Sequence, residues 1–231
     1  MIQIIKKIKH LFSLHRYKNK KFYAKLIHPN DMCFDIGANK GVKSELFLSL
    51  GAKVVAFEPQ SICHTYLDKI VHHNFQYHKY AVGSINETKE LRLGSHIEVA
   101  TFSNKFIDYF SNDSLSWNQS EKVTVKKLDW LIETYGIPNY CKIDVEGYEL
   151  EILSNLTYII PLIEFEFTGG FIVDTIEIIK LLDKSNTIYN FNLNEKPKFE
   201  LNKWISKDEM ISVFKELSID RLHGNIFVKN L

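Results

Sequence analysis

Residues that could bind a ligand cluster first around a glycine-rich turn. Within Phe34–Gly41, Asp35 ends an apolar run, and Gly37 and Gly41 follow it four residues apart. Glycines at a strand-to-helix turn let the backbone pass close to a ligand where a β-carbon would clash. Asp35 could accept a hydrogen bond from an ammonium group. The third glycine of a dinucleotide-binding turn is absent, so the pattern favours a ligand without a phosphate.

A second acid occupies the position where nucleotide-binding folds hold a ribose. Glu58 closes the next strand-like run, Lys53–Phe57. A carboxylate there accepts hydrogen bonds from the ribose hydroxyls in nucleotide-binding βαβ units. Taken singly, Asp35 could be a helix cap and Glu58 a surface acid. Together with the glycine turn they predict a site for a nucleoside-containing ligand.

Carboxylates are densest in Lys142–Glu149. Lys142 and Asp144 share one face of a predicted strand. Asp144 is therefore expected at the strand tip, over the reacting end of the ligand, with Glu146 in the following turn. Glu149 is better explained as an acid that complements the dipole at a helix N-terminus.

Two further acids, Glu164 and Glu166, share a face of the next strand-like run, Pro161–Phe167. Carboxylates in an otherwise apolar strand are costly if they are buried without a partner. Two interpretations stay open: one of them pairs with Lys142 on the neighbouring strand, or both line an acceptor pocket.

The elements that must position these residues alternate between strand and helix. This alternation predicts an α/β fold with parallel crossovers in an open, doubly wound sheet. Ligands bind such sheets beyond the carboxyl ends of the strands, where the acids described above are found. The predicted strands are 32–36, 53–57, 75–82, 88–93, 122–126, 140–143, 161–167, 187–191 and 225–229, and the predicted helices are 42–50, 62–72, 128–135, 148–156, 173–182 and 207–217.

Residues 94–120 lack this periodicity and are rich in Ser, Asn and aromatic residues. Aromatic faces pack well against sugar CH groups, so the insertion could be a lid over an acceptor. It could equally be an ordered excursion with a small core of its own. His96 and Trp117 are its candidate acceptor contacts, and His96 is also a weaker candidate base.

The composition is that of one soluble globular domain: 231 residues, 45% hydrophobic and 25% charged. Cys33, Cys63 and Cys141 form neither a disulfide framework nor a zinc pattern, which favours a reducing compartment and a cytoplasmic location. No dedicated cluster of metal ligands is evident. We therefore expect no resident metal and keep a divalent ion as a minor alternative.

Charge is uneven along the chain. Residues 1–26 hold eight Lys and Arg and no acid, which leaves +1 − 8 = −7 for residues 27–231. Ile5, Ile8, Leu11 and Phe12 are spaced as in an amphipathic helix, and the interspersed lysines argue against a signal peptide or membrane span. We expect this segment to pack on a domain of residues 27–231 with a solvated basic face, or to touch an anionic inner membrane surface.

Several of these stretches resemble the FkbM-type methyltransferases of class I. The resemblance covers about residues 30–230 and is carried by Phe34–Gly41, Val55–Pro59, Ala81–Gly83, Val125–Leu131, Lys142–Leu153 and His223–Phe227. It implies a Rossmann-like sheet of seven strands, mostly parallel, with an antiparallel last strand. It also implies S-adenosylmethionine as cofactor, S-adenosylhomocysteine as product, and O-methylation of a sugar, glycan or related natural product.

The same resemblance assigns roles by position. The cofactor-binding set is Asp35, Gly37, Ala38, Asn39 and Gly41 for the methionine part, Glu58 for the ribose, Ala81 and Val82 for the adenine, and Asp144 beside the sulfonium. Asp144 and Glu146 are the candidate catalytic bases, because a sugar hydroxyl is a poor nucleophile. Glu164 and Glu166 are candidate acceptor contacts. The family's usual acid after the third strand is missing near Ala81, so adenine contacts are expected from the backbone alone.

Two other functions stay open. An N-methyltransferase of protein or nucleic acid usually has an Asn/Asp-Pro-Pro-aromatic turn after the fourth strand, whereas this chain has Asp144–Gly147 there. The charge of −7 on residues 27–231 disfavours a nucleic-acid partner. The other alternative is a scaffold that binds the cofactor without catalysis.

Overall fold

The computed structural model describes residues 14–97, 99–217 and 222–231. Its strands are β1 Met32–Ile36, β2 Lys53–Phe57, β3 Phe75–His78, β4 Tyr80–Gly83, β5 Glu87–Leu93, β6 Ala100–Thr101, β7 Gln119–Lys127, β8 Tyr140–Ile143, β9 Leu162–Thr168, β10 Thr187–Phe191 and β11 His223–Asn230. Its helices are α1, described over residues 14–23, α2 Val42–Ser49, α3 Ser61–Leu67, α4 Asn104–Phe110, α5 Leu128–Tyr135, α6 Glu149–Leu153, α7 Ile172–Leu182 and α8 Lys207–Glu216.

The main sheet has seven strands in the order β10-β11-β9-β8-β1-β2-β3. The pairs β1–β2, β1–β8, β2–β3 and β8–β9 are parallel. The last strand, β11, is antiparallel to both β9 and β10. The predicted doubly wound sheet with an antiparallel last strand is confirmed, and its order reverses between β1 and β8.

Each face of the sheet has its own core. Side chains on one face, such as Phe34, Ile143 and Phe165, pack with buried residues of α5, α6, α7 and α8. On the other face, Tyr140 packs with Phe47 of α2 and Phe22 of α1. Because both faces are covered, the central strands are almost continuously apolar, as parallel strands usually are. Polar residues on these strands are therefore exceptions that need a partner.

A second, four-stranded sheet in the order β4-β7-β5-β6 branches from the carboxyl edge of the main sheet. The predicted strand 75–82 is divided at Lys79 into β3 and β4, which belong to different sheets. The structured insertion is therefore longer than 94–120 and includes α4, which was not predicted. Phe106, Trp117 and Phe171 form a small core beneath it. The segment thus has a small core of its own, and its role as a lid over an acceptor stays a prediction.

The basic N-terminal segment is only partly described. Ile5, Ile8, Leu11 and Phe12 lie outside the described residues. In α1, the cationic side chains between residues 16 and 21 are exposed, while Phe22 is buried. Phe22 and Tyr23 thus belong to the core of the domain, and Leu26 packs against it. Within the described residues no helix has the length and apolar character needed to cross a membrane.

Candidate active site

A cavity of about 520 Å³ opens at the carboxyl ends of β1, β2 and β8, where the strand order reverses. Its walls come from the turn after β1, the residues after β2, strand β4 and the segment after β8. In doubly wound sheets this is the expected place for a ligand. Of the predicted cofactor-binding residues, Gly37, Ala38, Asn39, Glu58, Ala81, Val82 and Asp144 line it.

The turn after β1 needs glycine at one position because two strand ends meet there. Gly37 has a φ of 75°, and a Cβ on it would lie 1.8 Å from the carbonyl oxygen of Asp144. A side chain at Gly37 would therefore force β1 and β8 apart. Asn39, with a φ of 49°, also adopts the left-handed conformation, which Asn tolerates better than most residues.

Glu58 stabilises this turn from the end of β2. Its Oε2 accepts a hydrogen bond from the backbone N–H of Asn39 at 2.7 Å, and its Oε1 accepts one from Gln60 at 2.8 Å. Each carboxylate oxygen can accept a further bond from a ligand. Burial raises the pKa of Glu58 to about 7, although both backbone hydrogen bonds oppose the shift.

Behind the cavity, charged residues form a buried row across β1, β8 and β9. Asp35, Lys142 and Glu164 are register partners, so their side chains share one face of the sheet. Lys142 lies between two acids: its Nζ is 2.8 Å from Asp144 Oδ2 and 4.0 Å from Asp35 Oδ1. Burial alone would lower the pKa of Lys142, but Asp144 and Asp35 outweigh burial and raise it.

This row corrects two predicted contacts. Asp35 is fully buried beneath the cavity, and its Oδ2 accepts a hydrogen bond from Ser44, so it does not reach the ligand space. Glu164 is also fully buried, and its carboxylate accepts hydrogen bonds from Tyr23 and Tyr140 instead of lining an acceptor pocket. The two tyrosines satisfy the carboxylate of Glu164, whereas Asp35 Oδ1 has no hydrogen-bond partner among the described residues and has Lys142 Nζ at 4.0 Å.

Three carboxylates meet at the inner end of the cavity. Oxygen atoms of Asp144, Glu146 and Glu166 all lie within 4.8 Å of one another. Asp144 follows β8 and Glu166 lies one row beyond Glu164 on β9, so adjacent parallel strands bring them side by side. The side chains of Asp144 and Glu166 are therefore close neighbours at this end of the sheet.

The acids of this cluster differ in their affinity for protons. Burial alone would raise the pKa of Asp144, but the charge and hydrogen bond of Lys142 lower it. Burial, reinforced by the charge of Asp144, raises the pKa of Glu146 and of Glu166. Asp144 is thus the ionised member beside two acids that retain protons more readily. A cluster that combines an ionised carboxylate with acids of raised pKa can both accept and donate protons.

The insertion fixes the turn that carries Glu146. Glu146 has a φ of 57°, unusual for a residue with a side chain, and its carbonyl accepts a hydrogen bond of 2.7 Å from Thr101 Oγ1 on β6. Gly147 packs so closely on α4 that a Cβ there would lie 2.9 Å from the Phe106 ring. Glu149 accepts from the backbone N–H of Val145, so it caps this turn as predicted.

The outer part of the cavity is mostly apolar. Phe57, Tyr80, Leu91 and Phe102 line it together with Ala81 and Val82. A planar heterocycle would find apolar surface here and backbone groups at its edge. Strand β4, Tyr80–Gly83, contributes no acidic residue to this wall.

Three more predicted residues lie outside this cavity. Gly41 is the left-handed N-cap of α2 and packs against Leu67. His96 is exposed on the insertion and lines none of the cavities found among the described residues. Trp117 is buried in the core of the insertion, with its ring edge-on to Phe106. Trp117 is therefore a packing residue and not an acceptor contact.

Three charged residues that line the cavity were not predicted: Lys40, Lys43 and Glu195. Lys43 Nζ donates to Tyr23 Oη at 2.9 Å and lies 3.7 Å from Glu195. Lys43 lies two residues after Gly41 of the glycine turn, and this position in the sequence could have marked it as a candidate cavity residue. Glu195 comes from the segment after β10, where no motif marks it.

The carboxylate cluster also bears on the expectation that no metal-ligand cluster exists. Asp144, Glu146 and Glu166 are numerous and close enough to hold a divalent ion.

Solved structures similar to this chain are methyltransferases. The plantazolicin methyltransferase BpumL, solved with S-adenosylhomocysteine, is 10% identical at a TM-score of 0.47, with 94% of this chain and 84% of that chain covered. The precorrin-6y C5,15-methyltransferase of Geobacter metallireducens is 13% identical at a TM-score of 0.45, with 93% and 88% covered.

Comparison of the amino-acid sequence with known proteins identifies the family. The hexuronic acid methyltransferase AglP of Haloferax volcanii is 28% identical over 163 residues. That match spans 68% of this chain and 63% of the relative's length. Residues 35–193, which include the glycine turn, Glu58 and the carboxylate cluster, match the methyltransferase FkbM domain. The chain therefore belongs to the FkbM methyltransferases, whose methyl donor is S-adenosylmethionine.

Proposed function

We propose that this protein transfers the methyl group of S-adenosylmethionine to a hydroxyl oxygen of a sugar, glycan or related natural product. The observation that carries this proposal is the position of Asp144. It is held ionised by Lys142 and borders the cavity with Glu146 and Glu166. A carboxylate there can accept the proton of a hydroxyl group that attacks the methyl carbon.

The residues of the cavity fit the cofactor. Gly37, Ala38 and Asn39 would present backbone to the methionine part, and Glu58 would accept hydrogen bonds from the ribose hydroxyls. The apolar wall formed by Tyr80–Val82 suits the adenine ring. When bound, the cofactor supplies an electrophilic methyl group on a positively charged sulfur. The carboxylates at the inner end of the cavity complement that charge.

The chain itself contributes position and proton transfer. Methyl transfer by in-line displacement requires the reacting atoms to be aligned. Residues at the ends of buried strands are held in fixed positions, so they are suited to align them. Asp144 lies on such an end and is oriented by Lys142. Glu146 is held by the insertion through Thr101 and can receive or relay the acceptor's proton. A base at this place contributes about 10²–10⁴-fold in rate.

Two observations support a carbohydrate acceptor over an amine. The turn after β8 has no Pro-Pro-aromatic sequence, and AglP is named as a methyltransferase of hexuronic acids. Carboxylates can accept hydrogen bonds from the hydroxyls of a sugar. The net charge of −7 over residues 27–231 also disfavours a phosphate-rich acceptor.

Methyl-labelled S-adenosylmethionine tests the proposal directly. The full chain is incubated with separate pools of glycans, proteins and RNA, and each pool is analysed for label. We expect label on the glycan pool in a linkage that survives mild base, as an ether does and an ester does not. Label on protein or RNA alone would support N-methylation. Cofactor binding without any transfer would support the non-catalytic scaffold.

A further inference from the structure

A second cavity, of about 730 Å³, lies beside the first and shares two residues with it, Glu146 and Glu166. The geometry points to this second cavity as the acceptor site, with a sugar ring as its occupant. This inference rests on the proposed function, because the shared carboxylates are the groups on which methyl transfer would occur. The acceptor would then reach the cofactor from the side of α4 and β9.

One wall of the second cavity is aromatic. Phe106, Tyr109 and Phe110 of α4 all line it. Their rings support one another: the centroids of Phe106 and Phe110 are 4.5 Å apart, and those of Tyr109 and Phe110 are 4.9 Å apart. Such rings offer a stable apolar surface to the CH groups of a sugar.

The position of this wall is fixed by packing on the main domain. A Cβ on Gly170, which follows β9, would lie 2.5 Å from the Tyr109 ring. Phe171 stacks on Phe106, with centroids 6.0 Å apart. The aromatic wall is therefore held on the domain next to β9 and is not a flap that must close first.

The lining of the second cavity also includes polar residues that could form hydrogen bonds with the hydroxyl groups of a sugar. Thr168 at the end of β9 and His223 at the start of β11 are register partners and face the same space. Glu146 and Glu166 close the inner end. A ring lying on the aromatic wall could therefore place one hydroxyl at the carboxylates and others at Thr168 and His223.

A binding experiment can test this site without knowledge of the natural acceptor. The probes are methyl glycosides of glucose, galactose, mannose and glucuronic acid, at millimolar concentration. Saturation-transfer NMR is recorded on the full chain saturated with S-adenosylhomocysteine. We expect transfer to the ring CH protons of at least one glycoside. In Tyr109→Leu and Phe110→Leu this signal should fall by about fivefold or more, since the sugar contact is lost.

Matched controls separate a lost contact from a damaged fold. Tyr17→Leu removes an exposed ring of α1 that lines neither cavity, and it should leave the signal unchanged. His223→Trp blocks the cavity from an exposed position without disturbing α4, and it should also abolish the signal. S-adenosylhomocysteine affinity, measured by calorimetry, should stay within about twofold of wild type in all these variants, because none of the changed residues lines the first cavity.

The outcomes distinguish the two proposals. Retained glycoside signals in Tyr109→Leu, Phe110→Leu and His223→Trp would overturn the acceptor site and leave the proposed function standing. Bound S-adenosylhomocysteine with no signal from any glycoside would also overturn the acceptor site. A wild-type chain that binds no S-adenosylhomocysteine would instead contradict the proposed function itself.

Discussion

Acidic residues of similar appearance in the sequence have different roles in this molecule, and burial separates them. Asp35 and Glu164 are fully buried and bonded to internal partners. Glu58 and Asp144 combine internal bonds with access to the cavity. The first pair maintains the fold, whereas the second pair can meet a ligand.

Glu58→Gln tests the ribose contact. The amide keeps the shape of the side chain but loses one acceptor and the negative charge. We expect the affinity for S-adenosylhomocysteine to fall by roughly 1–3 kcal/mol, the range for hydrogen bonds to a charged group. Calorimetry measures it, with Glu45→Gln on the exposed side of α2 as control. An unchanged dissociation constant in a folded Glu58→Gln protein would remove Glu58 from the site.

Glu58 also predicts a pH dependence. Its pKa in the folded protein is about 7, above the ordinary 4.5. Its contribution to stability is therefore fully present below pH 4.5 and is lost as the pH rises through about 7. Ribose hydroxyls favour the ionised form, so binding should strengthen by about fivefold to tenfold between pH 6 and 8.

Titration of S-adenosylhomocysteine at several pH values checks this dependence. Glu58→Gln should remove it. Glu149, whose pKa burial also raises to about 7, is unchanged in that variant. If the pH dependence persisted in Glu58→Gln, another group such as Glu149 would be responsible.

At the scale of elements, the insertion supports the turn that carries Glu146 as well as lining the cavity. Thr101 on β6 binds the carbonyl of Glu146, and α4 packs on Gly147. The backbone conformation of Glu146 therefore depends on an element that is distant in sequence. A substitution that weakens the contact between the insertion and this turn should lower turnover more than it lowers the affinity for the cofactor.

Thr101→Val tests this dependence. The variant keeps the shape of the side chain but removes the hydrogen bond to Glu146, worth about 1 kcal/mol. We expect kcat to fall about fivefold to tenfold with little change in the affinity for S-adenosylhomocysteine. Thr124→Val, at an exposed position of β7 in the same sheet, is the matched control. Equal losses in both variants would indicate a general weakening of the sheet.

Elements with a regular pattern could be predicted from the sequence, and those that depend on distant contacts could not. The strands Met32–Ile36 and Tyr140–Ile143 were predicted with their exact bounds, since buried parallel strands are continuous apolar runs. Helix α4 was missed because its aromatic residues pack on Phe171, which lies far along the chain. Similarly, Asp35 and Glu164 carry no local sign that Ser44, Tyr23 and Tyr140 bind them.

For the whole molecule, the uneven charge separates a basic end from an acidic body. Residues 1–26 carry +8 and residues 27–231 carry −7. In the described part of α1 the cations face solvent, whereas Phe22 and Tyr23 are buried in the domain. We expect the exposed cations to act on partners outside the chain and the two aromatic residues to stabilise the fold.

Deletion of residues 1–20 should separate these roles. It removes six of the eight cations and keeps Phe22 and Tyr23. We expect the affinity for S-adenosylhomocysteine to stay within a few-fold, about 1 kcal/mol at most, because the described residues among them, 14–20, line neither cavity. Sedimentation with anionic vesicles at low and high salt measures membrane contact. A full chain that fails to bind vesicles at low salt would exclude that contact.

The turnover and unfolding of Asp144→Asn, measured together, test the central claim most directly. The variant keeps the shape of the side chain, and Lys142 retains Asp35 as a neighbouring anion. We therefore predict a fall in kcat of ~10²-fold or more with little loss of melting temperature. Asp35→Asn is the matched control: it affects the same lysine away from the cavity and should lower the melting temperature more than kcat. Near-normal turnover of Asp144→Asn with a much lower melting temperature would contradict the catalytic role and leave Asp144 as a structural partner of Lys142.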